Sequence, residues 1–281
     1  MDKLFRRQNT RTKLTAAGLL AGLILPCTEL CLTGNRDMQA YNESVTPING
    51  SRDTTDFLEE ELKALLTDLG VPVHNIPIDF VERVRRWTRL YQTRDRRDIE
   101  RVLASRCHDF EAVRQQLTNA NLPPDLAFVT LVESHFQADA MSPHGNAGLW
   151  QFTQGTARRN GLKVNAAIDE RFDPRKSSEA ACRYLLRLRD QQGREGSLML
   201  ALAAYNMGPG RLNQRTEQLN DLSKRHDFWH LYRTRPLPAL TRTVLARLMA
   251  AILIGRHPLY FGFKTAAPGN LETVSSTVSH F

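Results

Sequence analysis

The chain has 281 residues, 41% of them apolar and 24% charged, enough for one large domain or two small ones with a buried core and a cleft. These proportions are ordinary for a soluble globular protein and set aside the compositionally extreme classes. The formal net charge is +8, but residues 1–27 hold Lys3, Arg6, Arg7, Arg11 and Lys13 against Asp2, a surplus of +4 that leaves about +4 on the remainder. That charge suits a polyanion such as a cell-wall polymer without singling one out.

A basic stretch from Lys3 to Lys13 precedes an apolar run of 12 residues, Leu14 to Leu25. The run is shorter than the roughly 18 residues that span a bilayer and has the length of a signal core. Residues 1–27 are therefore predicted to direct export. Cys27 leaves open whether this is a signal peptide or a lipoprotein signal, and so whether the N-terminus associates with a membrane; Pro26 stands where lipoprotein signals usually carry a small residue. Residues 28–52, with Pro47, Gly50 and many Ser, Thr and Asn, read as a flexible tether.

An N-terminal helical region is expected over 53–120. Leu58, Leu62, Leu65, Leu66 and Leu69 keep helical spacing and Gly70 marks a stop. Further helices are predicted over 78–92, 95–106 and 109–119. Eight arginines lie between Arg83 and Arg101, but Glu82, Asp95, Asp98 and Glu100 interleave with them, while Trp87, Leu90, Ile99 and Val102 form an apolar face. This pattern predicts a solvated, salt-bridged helix surface, and nucleic acid is not an expected partner.

The stretch 121–263 is helical too. Ala180, Ala181, Tyr184, Leu185 and Leu188 face one way, with Arg175, Glu179, Arg183 and Arg187 opposite. Leu198 to Tyr205 is apolar all round, as befits a central helix. Val244, Leu245, Leu248, Met249, Ile252 and Leu253 form a last helix that Gly255 and Pro258 are expected to close. Residues 264–281 make a polar tail. Beyond residue 27, Cys31, Cys107 and Cys182 remain; pairing is open, and Cys182, beside Ala181 and Tyr184, fits a small buried side chain. There is no CxxC or HExxH spacing, and His226-Asp-Phe-Trp-His230 is an HxxxH pair with no Cys or further His beside it, so neither a metal nor a cofactor is expected.

Pro123 and Pro124 start a helix on which Leu126, Val129, Thr130 and Glu133 share one face. A carboxylate on a core-facing stripe is costly unless paired or protonated. Desolvation raises its pKa, which is what a general acid near neutral pH requires. The competing reading is a helix-end Glu paired with an Arg and doing no chemistry. Downstream, Ser142 to Phe152 joins a Gly-rich turn to Trp150 and Gln151, a pair suited to a sugar ring face and its polar substituents. Ala203 to Gly210 then ends the apolar helix with Tyr205, Asn206 and a second Gly-rich turn.

Four separated blocks agree in order: Leu122-Pro-Pro-Asp-Leu126 with Val132-Glu-Ser-His-Phe136, Gly148-Leu-Trp-Gln151, Asp169-Glu-Arg-Phe-Asp-Pro174 and Ala204-Tyr-Asn206. Together they resemble the soluble lytic transglycosylase domain family, and most closely its D-type membrane-bound lytic murein members, over roughly 78–263. The resemblance implies a mainly α fold, a lysozyme-like transglycosylase domain at 121–263 preceded by N-terminal helices, with peptidoglycan glycan strands as partner. It implies cleavage of the MurNAc–GlcNAc bond with Glu133 as acid and then base, helped by the substrate's N-acetyl group, leaving a 1,6-anhydro sugar. Ser134, Ser142, Gln151, Tyr205 and Asn206 would be substrate-binding. A single carboxylate suffices in such substrate-assisted chemistry, and Asp139 is read as a loop residue. The chain departs from the family pattern at Asn146, Leu240 and Val244, where an Ala, an acid and a Tyr are common, and residues 264–281 are too few for the LysM modules many members carry. A hydrolytic lysozyme-type muramidase and a non-catalytic wall-binding protein remain the alternatives.

Overall fold

The computed structural model describes residues 52–103, 108–192, 197–234 and 236–264. The export signal with Cys27, the tether up to residue 51, Cys107 and the tail beyond Lys264 lie outside them.

The leucine stripe builds helix α1, Arg52–Asp68, whose Leu58, Leu62, Leu65 and Leu66 are buried. Gly70 ends it in a left-handed turn (φ 73°), with Val71 N–H donating back to the Leu66 carbonyl at 2.8 Å. Helix α2, Ile78–Gln92, buries Phe80, Val84 and Tyr91, and α3, Arg96–Leu103, buries Ile99 and Val102. Their outer faces carry the expected ion pairs: Arg85 with Glu82 and Glu59, Arg94 with Asp95, and Arg96 with Glu100. Helix α4, His108–Asn119, follows.

The single helix expected from Pro123 is instead two pieces, a 3-10 turn at Pro124–Ala127 and α5, Phe128–Ser134. The Phe128 N–H is shared between the carbonyls of Asp125 and Leu126, the tighter bonding that joins the two pieces. After the short α6, Gln154–Arg159, and a 3-10 turn at Glu170–Phe172 comes α7, Pro174–Gln191. It starts on Asp173, whose side chain accepts from Lys176 N–H at 2.9 Å, with Pro174 in the first turn. Cys182 is buried on its inner face, where burial pushes the thiol up to about 11.

Helix α8, Leu198–Met207, is buried nearly all round, as its composition predicts, and is capped by Ser197. Three more helices follow: α9 (Pro209–Thr216), α10 (Phe228–Arg233) and α11 (Ala239–Arg256). Helix α11 lies along α2 and also packs on α1, α5 and α8, so one apolar core runs without a break from the N-terminal helices through the rest. Gly255 does not cap α11, which continues to Arg256. A Cβ at Gly255 would lie 2.1 Å from the Phe128 ring; the glycine is where α11 and α5 touch.

The described residues contain isolated β-bridges and no strand, so the mainly α expectation holds. Among them no helix is long and apolar enough to cross a membrane.

Candidate functional site

Leu126, Val129 and Thr130 are buried, as their shared face predicts, and Glu133 follows in the last turn of α5. Its side chain keeps partial access to solvent and lines a narrow, mostly apolar pocket with Leu202, Tyr205, Asn206, Val244 and Leu248. Burial among these groups raises the Glu133 carboxyl from 4.5 to about 7, opposed by the positive charge of Arg247. Near neutral pH, then, both its protonated and ionised forms are populated. Among the described residues no other acid lines the pocket, and Asp139 is exposed on its loop.

After Glu133 the chain leaves the helix through two left-handed residues, His135 (φ 53°) and Phe136 (φ 58°). Ser134 faces the other way. It is buried, and its hydroxyl is placed between the carbonyls of Thr130 and Leu149, 2.9 Å from each. Ser134 thereby ties α5 to the turn that carries Gln151, and its hydroxyl does not face the pocket.

That turn is held from several sides. Gly148 N–H donates to the Ala140 carbonyl at 2.8 Å, and Ser142 pairs with Asn146 through both backbone and side chain. Gly148 has φ 76°, and a Cβ there would sit 1.8 Å from the Arg171 carbonyl, so only glycine fits. Arg171 is itself buried; Nη1 donates to the carbonyls of Gly145 (2.6 Å) and Phe152 (2.9 Å), while Asp169 takes its Nε and Nη2. Gln151 is left-handed (φ 47°) and its amide nitrogen donates to the carbonyls of Gly148 and Ala140. Two carbonyl partners fix which end of the amide is nitrogen and leave Oε1 as the outward acceptor. Trp150 corrects the expectation of a sugar-stacking ring. It is fully buried and its indole donates to Ser178 Oγ at 2.8 Å, anchoring the turn to α7.

The opposite wall comes from α8 and α11. Tyr205 donates its hydroxyl to the Trp150 carbonyl at 2.5 Å. Burial, then the charges of Glu133 and Tyr184, keep this phenol well above its ordinary pKa. Asn206 Oδ1 accepts from Thr241 on α11 at 2.9 Å. The structure therefore brings Glu133, Tyr205 and Asn206 to one pocket, sets Gln151 and Ser142 on the adjoining turn, and buries Ser134 behind. Val244, one of the departures from the family pattern, lines the pocket as a small apolar patch.

Two buried arginines escaped the sequence reading. Arg171 lies in a block recognised only by resemblance. Arg247 sits on α11 among apolar residues, 4% exposed, with Nε donating to the Tyr91 hydroxyl at 3.0 Å and Nη1 reaching the Val132 carbonyl at 3.4 Å. Its guanidinium also lies over the Trp87 ring, 5.2 Å from the centroid. Nothing in helical periodicity marks it, because a lone Arg on such a face normally reaches solvent. Among the described residues, no three His, Cys, Asp or Glu side chains are grouped as a metal would need.

Residues 111–228 match the family described as Transglycosylase SLT domain. That stretch includes all six candidate site residues and stops before α11. The membrane-bound lytic murein transglycosylase D of Escherichia coli (strain K12) is 32% identical over 149 residues, 53% of this chain and 32% of that protein. The membrane-bound lytic murein transglycosylase F 2 of Alkalilimnicola ehrlichii is 31% identical over 174 residues, 59% of this chain and 37% of that one. The chain thus spans about a third of the length of these relatives. A solved structure of an inactive variant of the lytic transglycosylase Slt from Pseudomonas aeruginosa aligns at 25% identity and a TM-score of 0.41, covering 57% of this chain and 25% of that one.

Proposed function

We propose, from the premise that residues 111–228 are a transglycosylase SLT domain, that this protein cleaves the MurNAc–GlcNAc bond of peptidoglycan without water and leaves a 1,6-anhydro-MurNAc end. The observation that carries the reading is the Glu133 carboxyl, held at about 7 in a pocket that no second acid among the described residues lines. An inverting or retaining two-carboxylate glycosidase needs an Asp or Glu on each side of the scissile bond. A single carboxyl poised near neutrality suits a sequence in which it gives a proton and takes one back.

In the first step, protonated Glu133 donates to the bridging oxygen as the C1–O bond breaks, and the GlcNAc side leaves as an alcohol. The substrate's N-acetyl oxygen bonds to C1 and carries the positive charge. In the second step the Glu133 carboxylate takes the proton of the C6 hydroxyl, O6 bonds to C1, and the N-acetyl oxygen departs. The enzyme returns with Glu133 protonated and no water consumed. Gln151 Oε1, with its amide nitrogen already engaged, is the acceptor for an acetamido N–H. Asn206 keeps its amide nitrogen for sugar oxygens because Thr241 occupies its Oδ1. Tyr205 and Ser134 hold the cleft: one fixes the Trp150 carbonyl, the other the Leu149 carbonyl. Ser142, at the far end of the turn, marks the outer saccharide contact. Residues 1–27 would deliver the protein to the cell envelope, consistent with the membrane-bound relatives.

The test is a digest of purified sacculi analysed by mass spectrometry. Anhydro ends support the proposal. Reducing ends would make the protein a hydrolytic muramidase, and glycan binding without any cleavage would make it a wall-binding protein.

A further inference from the structure

A carboxyl buried in an apolar pocket with no positive charge nearby keeps its proton far above neutrality, and is then a weak acid that gives the proton up reluctantly. Helix α11 places such a charge at the back of α5. The Arg247 guanidinium is buried, bonded to the carbonyl of Val132, the residue just before Glu133, and held from the far side by the Tyr91 hydroxyl at 3.0 Å. The rings of Trp87 and Tyr91, neighbours on α2, also lie beside it, with centroids 5.2 and 5.9 Å away. A planar, permanently charged side chain gripped in this way has little freedom to swing away from the site.

We propose that Arg247 is a positioning residue of the acid–base site, a fixed internal cation that sets how tightly Glu133 holds its proton. The catalytic half of this inference rests on the reading of Glu133 as acid and base; the electrostatic half does not. The groups facing Glu133 come from several elements. Helix α11 supplies Arg247, α8 supplies Tyr205, and α7 supplies Tyr184 behind it. Helix α2 contributes Tyr91 through its bond to Arg247. Helix α3 also carries Asp98, bonded to His135 Nδ1 at 2.6 Å and flanked by Arg101. Burial alone would raise Asp98; its bond to His135 and the charges of His135, Arg101 and Arg247 together hold it below its ordinary value. Asp98 is therefore ionised alongside Arg247. The charge of Arg247 opposes the effect of burial on Glu133.

The test compares Arg247→Gln, which drops the charge but keeps a hydrogen-bond donor, with Arg247→Lys, which keeps the charge, both in the full chain. The Glu133 carboxyl carbon is titrated by NMR, its signal assigned by loss in Glu133→Gln, and cleavage of sacculi is followed against pH. Arg247→Gln is expected to move the Glu133 midpoint, and with it the alkaline limb of the cleavage profile, up by at least ~1 pH unit. Arg247→Lys is expected to stay close to wild type. An unmoved midpoint in Arg247→Gln, or equal behaviour of the two variants, makes Arg247 a packing residue and overturns the proposal. Should Arg247→Gln fail to fold, Arg247→Met removes the charge with an apolar stem and is read the same way. If the midpoint moves as stated but no protein cleaves glycan, the activity reading falls and this inference stands; cleavage with an unmoved midpoint gives the reverse.

Discussion

Replacing Glu133 by Gln separates desolvation from chemistry, because the amide keeps the shape of the side chain but neither ionises nor exchanges a proton near neutral pH. The carboxyl titrates at about 7 in the folded chain against 4.5 as its ordinary value. It thus binds its proton more tightly folded than unfolded, and folding stability falls as pH rises between those two values. At 1.36 kcal/mol for each pKa unit the full difference is about 3 kcal/mol, and partial solvent access trims it to ~2 kcal/mol. Below pH 5, where wild type is protonated, the variant and wild type should be similarly stable. At pH 8, where wild type buries a carboxylate, Glu133→Gln should be the more stable by ~2 kcal/mol, a rise in Tm of roughly 4–8 °C for a chain of this size. Thermal unfolding of both proteins from pH 5 to pH 8 reads this directly. In sacculus digests the same variant should lose at least ~10²-fold in rate, since in the proposed mechanism one group serves both proton transfers. A stability gap that is the same at pH 5 and pH 8 refutes the desolvation argument. A folded variant that still releases product at near wild-type rate refutes the catalytic one.

Three further outcomes are expected, two from the same geometry and the third from the sequence. Gly148→Ala pushes a Cβ to 1.8 Å from the Arg171 carbonyl at φ 76°; it should lower stability by ~3 kcal/mol or more in denaturant unfolding and abolish cleavage, because backbone meets backbone and the turn must move. Tyr205→Phe leaves the Trp150 carbonyl without its 2.5 Å donor and should cost ~1–3 kcal/mol together with activity; full stability in thermal unfolding would mean the bond contributes nothing. Residues 1–35 fused to a reporter active only outside the cytoplasm should export it, and Cys27→Ser should release the protein from membranes if the signal is of the lipoprotein kind; an inactive, uncleaved reporter would dismiss the export signal.

Some helices were legible because they carry their own punctuation, whereas the short α6, α9 and α10 were not. The leucine stripe of α1 with Gly70, the Pro77 start of α2 and the Asp173-Pro174 start of α7 all lie where local chemistry puts them. Glu133 was legible for the same reason, as a carboxyl on a buried stripe. What one sequence window cannot carry is which side of a residue its neighbours occupy. Trp150 looks like a platform for a sugar because it stands beside Gln151, yet its indole nitrogen finds Ser178, 28 residues away. Ser134 looks like a substrate contact because it follows Glu133, yet one residue on a helix is a rotation of about 100°, which turns it away from the pocket and toward Leu149. Gly255 looks like a helix stop, yet Phe128 explains it.

The same limit bears hardest on the electrostatics. On the proposed reading, whether Glu133 is an acid, a base or an inert ion-pair partner depends on Arg247, more than a hundred residues later and outside the stretch that matches the SLT family. The sequence-level alternative of a helix-end Glu paired with an Arg therefore contains part of the truth: an Arg is present and it does stabilise the carboxylate. It does not cancel the effect of burial, since the carboxyl still sits at about 7. Complete compensation would have left a structural ion pair, and no compensation would have left a permanently protonated acid. The intermediate balance, set by one buried guanidinium on α11 against the apolar lining of α5 and α8, is the condition under which a single side chain can perform both proton transfers.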